Sequence, residues 1–401
     1  GEEVTGHEFH RTATQPAAGS TPAWTIDGAA TGFASATVHA SYLHTHWAGH
    51  PHLAQRFADA VHASASRTAR LQHHGDVEAA PGMLDFAVNV YAGPPPSWLD
   101  QALRASLLDV GRYPDSRPAA EAIARRHGRP ASEVLPTSGA AEAFSLVARL
   151  RDWRYPVVVH PQFTEPHAAL AQAGHRVVEV HCAADTGFEL DPDAVPEQAD
   201  LVVVGNPTNP TGVLHPAATI KELLRPGRLV VVDEAFMDAV PEEPDSLAHH
   251  VDPGLIVVRS LTKHWGIPGV RAGYLLGSSD VVTWLRGVQP PWSVSAAAVA
   301  ALVACVDPSA LPEARRRAEQ IGGWRDVLEA GLARLGVPHV PSWGSFVLAR
   351  VGEGVHARLR EEGIAVRRAD TFPGLDSSWV RIAVRDTAAT NRLLAALAAD
   401  A

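Results

Sequence analysis

The chain has 401 residues, 46% of them hydrophobic, with two cysteines and a formal net charge of −10. That length supports a large core and two domains. No apolar run reaches the ~18 residues of a membrane span, two cysteines do not build a disulfide framework, and the acidic balance argues against a nucleic-acid partner. No secretory signal pattern is present. The expectation is a cytoplasmic protein that acts on a small molecule.

The first 75 residues are rich in histidine. His44 and His46 alternate, as do His50 and His52, while His73 and His74 are adjacent. A zinc site needs helix or knuckle spacing together with carboxylate or thiolate partners. That set is not evident, so no metal is expected. The stretch from Ser64 to Gly82 mixes His, Ala, Arg and Gly and reads as a linker.

Next, Thr137-Ser138-Gly139-Ala140-Ala141-Glu142 opens an amphipathic stretch, Ala143 to Leu150. Small residues at a helix start expose backbone N–H groups, which suit a phosphate. The apolar run Val157 to Val159 precedes His160-Pro161-Gln162-Phe163-Thr164-Glu165-Pro166. Leu201 to Val204 precedes Gly205-Asn206-Pro207-Thr208-Asn209-Pro210-Thr211-Gly212. Leu229 to Val232 precedes Asp233-Glu234-Ala235-Phe236, and Leu255 to Val258 precedes Ser260 and Lys263. Short β-branched runs of this kind read as buried parallel strands. Ligands collect outside the carboxyl ends of such strands. Asn209, Asp233 and Lys263 are therefore expected along one sheet edge. Towards the C-terminus, Leu311 to Leu335 has helical periodicity. Trp379 to Val384 alternates, placing Arg381 on the face opposite Val380 and Ile382.

Lysine is scarce in this arginine-rich chain, and Lys263 stands three residues after Ser260 and eight before Arg271. A lysine held there suits a Schiff base with an aldehyde cofactor, whose phosphate the serine hydroxyl and the arginine fork would grip.

In this order the three motifs resemble the pyridoxal-phosphate (PLP) enzymes of fold type I, the aspartate aminotransferase superfamily, over residues 84–401. The resemblance implies an α/β fold: a large domain with a mostly parallel seven-stranded sheet sandwiched by helices, plus a small α+β domain. It implies boundaries at 118–290 for the large PLP-binding domain, 84–117 with 291–401 for the small domain, and a linker at 64–83. Lys263 is then the Schiff-base lysine. Asp233 pairs with the pyridinium nitrogen and Asn209 faces the 3-oxygen, while Ser260, Arg271, Ser138, Gly139, Ala140 and Ala141 hold the phosphate. Phe163 stacks on the ring, Phe236 lies beside the cofactor, and Tyr113 reaches the phosphate from a neighbouring subunit. Arg381 clamps a substrate carboxylate, with Arg385, Asn89 and Tyr91 as further substrate contacts. The implied partners are PLP, an amino-acid substrate and a second copy of the chain in a homodimer with shared active sites.

Within the superfamily, GAAEAFSLVARL, HPQFTEPHAAL, DEAFMD, SLTKHWGIPGVRAG and RRADTFPGLDSSWVRIAVRD resemble actinobacterial cobalamin-pathway proteins of the CobC type. These are relatives of L-threonine-O-3-phosphate decarboxylase and histidinol-phosphate aminotransferase. The resemblance implies chemistry at Cα through an external aldimine and quinonoid. Arg367, Arg368 and Arg385 would suit a phosphorylated substrate. Departures fall beside the expected substrate pocket: Tyr91-Ala92 for Asn-Pro, His167 for glutamate, His264 after the lysine, and Phe236 without a phenol. They leave open a specialised-metabolism paralogue acting by β- or γ-elimination, replacement or C–C bond formation on an S-adenosylmethionine-like amino acid. A PLP-binding assembly protein is the non-catalytic alternative.

Residues 1–62 are similar to the C-terminal end of cobyrinic acid a,c-diamide synthase, part of a glutamine amidotransferase domain. That chemistry needs a cysteine nucleophile. Cys182 and Cys305 both lie in the PLP portion, so residues 1–63 are expected to be a catalytically inactive remnant or the tail of a larger fusion.

Overall fold

The computed structural model describes residues 3–35 and 38–398, with 62–67 described by backbone alone. The chain divides into two compact units, one up to Ala69 and one from Arg70 onward.

The first unit is built from antiparallel pairs of two or three residues. His7–Glu8 pairs with Leu43–His44, Trp24–Ile26 with Ala29–Thr31, and Phe33–Ala34 with His39–Ala40. A helix, Pro51–Leu71, follows. The start of the stretch read as a linker is therefore the end of this helix. Up to Ala69, only Gly32 is buried among the residues whose side chains are described, and Leu71 at the end of this helix is buried in the second unit.

The second unit contains two sheets. Its strands are β1 (Leu84–Phe86), β2 (Val134–Ser138), β3 (Pro156–His160), β4 (Val178–His181), β5 (Leu201–Gly205), β6 (Leu229–Asp233), β7 (Leu255–Ser260), β8 (Ala272–Leu276), β9 (Phe346–Arg350), β10 (Ile364–Arg368) and β11 (Trp379–Ala383). The large sheet has the order β4-β3-β5-β6-β7-β8-β2. Six strands share one direction, and β8 runs antiparallel to both its neighbours. The small sheet has the order β9-β11-β10-β1.

Strict alternation explains why the central strands are apolar throughout. Val202, Val204, Val230, Val232 and Val257 enter one core, with the helices Ser97–Ser106, Arg117–His127 and Ala296–Val306. Leu201, Val203, Val231, Ile256 and Val258 enter the other, with Ala140–Ala148, Glu165–Gln172 and Ser279–Val288. A sheet covered on both faces needs apolar side chains at every position. The small sheet has its own core of Phe86, Val347, Val366, Val380 and Ile382 against Leu328, Leu332 and Leu393. Leu328 and Leu332 lie on the long helix Leu311–Arg334.

These cores move the expected boundaries. Leu99, Val294, Ala298, Ala301 and Leu302 pack with the large sheet, although 84–117 and 291–401 were assigned to the small domain. Helix Ala296–Val306 is apolar all round, and a helix of that kind must be covered on most sides. The large sheet offers that cover. The stretch 72–83 is also no free linker. Glu78 is buried and bonded to His73 at 2.7 Å and to His356 at 3.2 Å. Burial pushes the Glu78 carboxyl up, but these histidines outweigh it and hold the group at about 2.

No single helix among the described residues is long and apolar enough to cross a membrane.

Candidate active site

The carboxyl ends of β5, β6 and β7 present Asn209, Asp233 and Lys263 in that order along one edge of the large sheet. The helix Ala140–Ala148 begins just after β2, at the same edge.

Asp233 ends β6 and is buried. The N–H of Ala235 donates to its Oδ1 at 3.1 Å. Burial pushes the carboxyl up to about 7. The Ala235 hydrogen bond opposes this, Glu234 adds to it, and Lys263 opposes it. Among the described residues no cation forms an ion pair with Asp233. A buried carboxylate without a paired cation is costly, and a bound cationic ring nitrogen would relieve that cost.

Lys263 follows β7 in a tight turn. Its carbonyl accepts from the Tyr91 N–H at 2.9 Å. Burial lowers its amine to about 8. Arg381 and Arg271 press in the same direction, and Asp76 and Asp233 oppose. A lysine that loses its proton this easily is a ready nucleophile.

The phosphate cradle is built from close backbone approaches. Gly139 has φ +77°, and a Cβ there would stand 2.6 Å from the Arg271 Nη2. A Cβ on Gly273 would stand 2.9 Å from the Gly139 backbone. Ser138, Gly139, Ala140 and Ala141 thus form a bare helix entry beside Arg271. The Ser260 hydroxyl lies 2.8 Å from that of Thr262. Arg271 adopts φ +60°, a region that non-glycine residues rarely occupy and that clusters at functional sites.

Arg381 lies in the middle of β11, 4% exposed. Its Nη1 donates to Asn209 Oδ1 at 2.8 Å and its Nη2 to the Ala87 carbonyl at 2.5 Å. Its Nε is buried without a partner. Burial lowers its pKa to about 9, and Arg367 and Arg385 add to that. Asn89 is buried nearby in sequence to Ala87, and its Nδ2 also lacks a partner. A buried guanidinium with an unpaired N–H has the chemistry of an anion receptor.

Other expected residues stand elsewhere. The Tyr91 hydroxyl bonds Gln320 at 2.7 Å, and its ring lies under Arg317 at 4.2 Å, so its side chain is committed to the helix Leu311–Arg334. Arg385 donates to the carbonyls of Asp85, Val88, Val90 and Val384. It therefore clamps the segment after β1 and brings no fork to the site. Arg367 is spent on the carbonyls of Arg368 and His73 and on Thr371, and Arg368 pairs with Asp370. The expected arginine cluster is thus dispersed into structural contacts. Phe163 sits at the edge of the core that holds Val203 and Val258, the lower of the two that flank the large sheet, 6.4 Å from Phe144 and 5.6 Å from His74. Phe236 packs edge-on against Phe346 at 4.9 Å. Tyr113 is 77% exposed and stacks on Trp292 at 4.3 Å.

The strap His73–Glu78 is a part of the site that sequence reasoning missed. His74 bonds Glu165 at 2.6 Å. A Cβ on Gly75 would stand 2.4 Å from the Ala87 carbonyl and 3.2 Å from the Arg381 Nη2. The available signal is a glycine directly after two histidines. Among the described residues no three His, Cys, Asp or Glu gather to hold a metal. Burial raises the Cys182 thiol to about 11, so it is no thiolate nucleophile.

A fold type I sheet with a strand-end lysine, a buried aspartate and a bare helix entry defines the class as an α/β PLP enzyme. Residues 81–397 match the aminotransferase class I and II family, and the chain belongs to it. The chain is 46% identical over 345 residues to a histidinol-phosphate aminotransferase of Mycobacterium bovis, with 84% of this chain and 94% of the relative covered. It is 32% identical over 336 residues to the threonine-phosphate decarboxylase of Salmonella typhimurium, covering 79% and 90%. Its fold matches the crystal structure of the histidinol-phosphate aminotransferase from Clostridium acetobutylicum with a TM-score of 0.73 at 23% identity, over 79% of this chain and 98% of that one. The protein is an enzyme, and its cofactor is pyridoxal 5'-phosphate.

Proposed function

We propose that this enzyme transfers the amino group of a small phosphorylated amine or amino acid, with histidinol phosphate as the first candidate. The observation that carries the reading is the buried Arg381, held by Asn209 and Ala87 with its Nε unpaired. It is an anion receptor of the small sheet, bonded to Asn209, which follows a strand end on the edge that carries Lys263 and Asp233. Amino transfer needs two substrates in turn, and one guanidinium can receive a phosphate from one and a carboxylate from the other.

PLP, when bound, supplies the electron sink for the pair left at Cα. Asp233 keeps the ring nitrogen cationic, which deepens that sink. Ser138, Gly139, Ala140, Ala141, Ser260 and Arg271 hold the phosphate. Lys263 would hold the cofactor, and its amine, lowered by burial to about 8, would move the proton at Cα. Arg381 would hold the anionic end of the substrate and so orient its Cα.

The same residues serve decarboxylation of a threonine-phosphate-like acid. Phe236 favours this second reading, because it packs on Phe346 and brings no phenol to the cofactor. The test supplies the holoenzyme with L-histidinol phosphate plus 2-oxoglutarate, and separately with L-threonine O-3-phosphate. Glutamate formed in the first mixture supports amino transfer. Carbon dioxide released in the second supports the alternative. Neither product would send the reading to other amino acids.

We further propose a homodimer with shared sites, because Tyr113 and Trp292 form an exposed aromatic pair with no cover. A monomer in light scattering with full cofactor occupancy would contradict it.

A further inference from the structure

A fully buried arginine lies directly behind the candidate site. Arg259 precedes Ser260 on β7, and Glu234 follows Asp233 at the end of β6. Alternation sends Val258 into the lower core and Val257 into the upper one. Ser260 therefore falls on the face of Val258, and Arg259 on the opposite face. The register joins the two strands here, with Asp233 opposite Val258 and the Glu234 N–H donating to the Val258 carbonyl at 2.8 Å.

On that back face one guanidinium meets three carboxylates. Arg259 reaches Glu234 at 3.0 Å, Asp238 at 2.6 Å and Glu243 at 2.8 Å. Glu234 has no exposure and also accepts from Ser246 at 2.8 Å and from the Leu247 N–H at 2.6 Å. Tyr274, His127 and Arg126 face the cluster, with His264 and Cys305 beside Asp238 and His249 beside His127. His127 bonds the Tyr274 hydroxyl at 2.9 Å, and burial, with Arg259 second, lowers it to about 2, so it adds no charge. Stability alone gives little reason for such a cluster, since buried ion networks often contribute no more than well-packed apolar side chains. What the cluster does supply is a rigid bolt across the two strand ends that carry Asp233 and Ser260.

We propose that Arg259, gripping Glu234, Asp238 and Glu243, is a positioning residue that fixes Asp233 and Ser260 from the opposite face of the sheet. It touches neither cofactor nor substrate. The cluster sets three carboxylates against one guanidinium; burial pushes the Glu234 carboxyl up and Arg259 opposes it, and the negative charge left beside Asp233 would favour a cation on the cofactor. This rests on the PLP reading of the site.

The test uses the purified holoenzyme and reads the visible absorbance of the lysine-bound cofactor against pH, together with the cofactor dissociation constant and the thermal midpoint. Arg259→Lys keeps the charge and loses the fork. Glu234→Gln keeps the shape, removes one charge and serves if Arg259→Lys does not fold. We expect cofactor affinity to fall about ten-fold in Arg259→Lys, the loss of about one charged hydrogen bond. We expect the spectral midpoint of Glu234→Gln to move to lower pH, because a negative charge that favours the cation has gone. A purely structural role would lower the thermal midpoint and leave the affinity and spectral midpoint of the folded protein unchanged, which would overturn the proposal. A parent protein with no visible band would instead remove the PLP reading itself.

Discussion

The two units of this chain use similar residues to opposite effect. The first contains Trp24, Phe33, Trp47, Phe57 and Val61, yet it leaves Trp47 and Phe57 more than half exposed and buries only Gly32 among its described residues. The second drives runs of valine and leucine into two cores that flank the large sheet and a third on the small sheet, and it holds its polar site against them. The difference lies in strand length. Pairs of two or three residues form too little ladder to shape a core. Five-residue strands in a seven-stranded sheet cover both faces, and they can afford a strained Arg271 and a buried Asp233 at their ends.

The largest effect that would sharpen this contrast is local to the site. Lys263→Ala should lose the absorbance of the lysine-bound cofactor, and a retained covalent band would break the assignment. Second comes the core. Leu328→Ala, fully buried in the small-sheet core, should cost about 2–5 kcal/mol in chemical denaturation. Phe57→Ala in the first unit should stay within about 0.5 kcal/mol, and a cost like that of Leu328→Ala would show that the first unit hides a core of its own. Third, Arg381→Lys should weaken binding of an anionic substrate about ten- to a hundred-fold, from loss of roughly 1.5–3 kcal/mol of charged hydrogen bonding. Arg385→Lys should leave that affinity unchanged, because its donors are already bound to backbone carbonyls. Equal losses in both would return Arg385 to the site.

A smaller effect concerns pH. The amine of Lys263 is held at about 8, below its ordinary 10.5. Its neutral form is the nucleophile, so capture of PLP by apoprotein should rise with pH and level off just above 8. A rise that continues to about 10 would mean that burial and the neighbouring arginines do not act on this lysine. Smallest of all, the first unit should release no glutamate from glutamine, since it contains no cysteine. Measurable release, lost on mutation of His44 or His46, would overturn that.

Much of the fold was legible because its strands are buried on both faces. Leu201 to Val204, Leu229 to Val232 and Leu255 to Val258 announce themselves by composition, and Leu311 to Leu335 by its 3.6-residue period. The order Asn209, Asp233, Lys263 could be read because each follows its strand directly. Domain edges were harder. Helix Ala296–Val306 looks the same in sequence whichever sheet covers it. The roles of Arg381 and Arg385 were also not separable. Both are arginines near one strand end, and only the tertiary positions of the Asp85, Val88 and Val90 carbonyls decide that Arg385 is a clamp. The strap stayed hidden because histidine, glycine and aspartate in a row carry no periodicity, and their meaning comes from the distant Arg381 and Glu165.

The central claim is that Lys263 carries the cofactor at the edge of the large sheet. The chain makes this directly measurable, because Lys221 and Lys263 are its only lysines. Lys221 lies on the short helix Ala217–Lys221, 3.2 Å from His250. Borohydride reduction of the PLP-loaded protein, followed by peptide mass spectrometry, should place the cofactor mass on the peptide that contains Lys263 and leave Lys221 unmodified. Label on Lys221, or no label on either, would contradict the account.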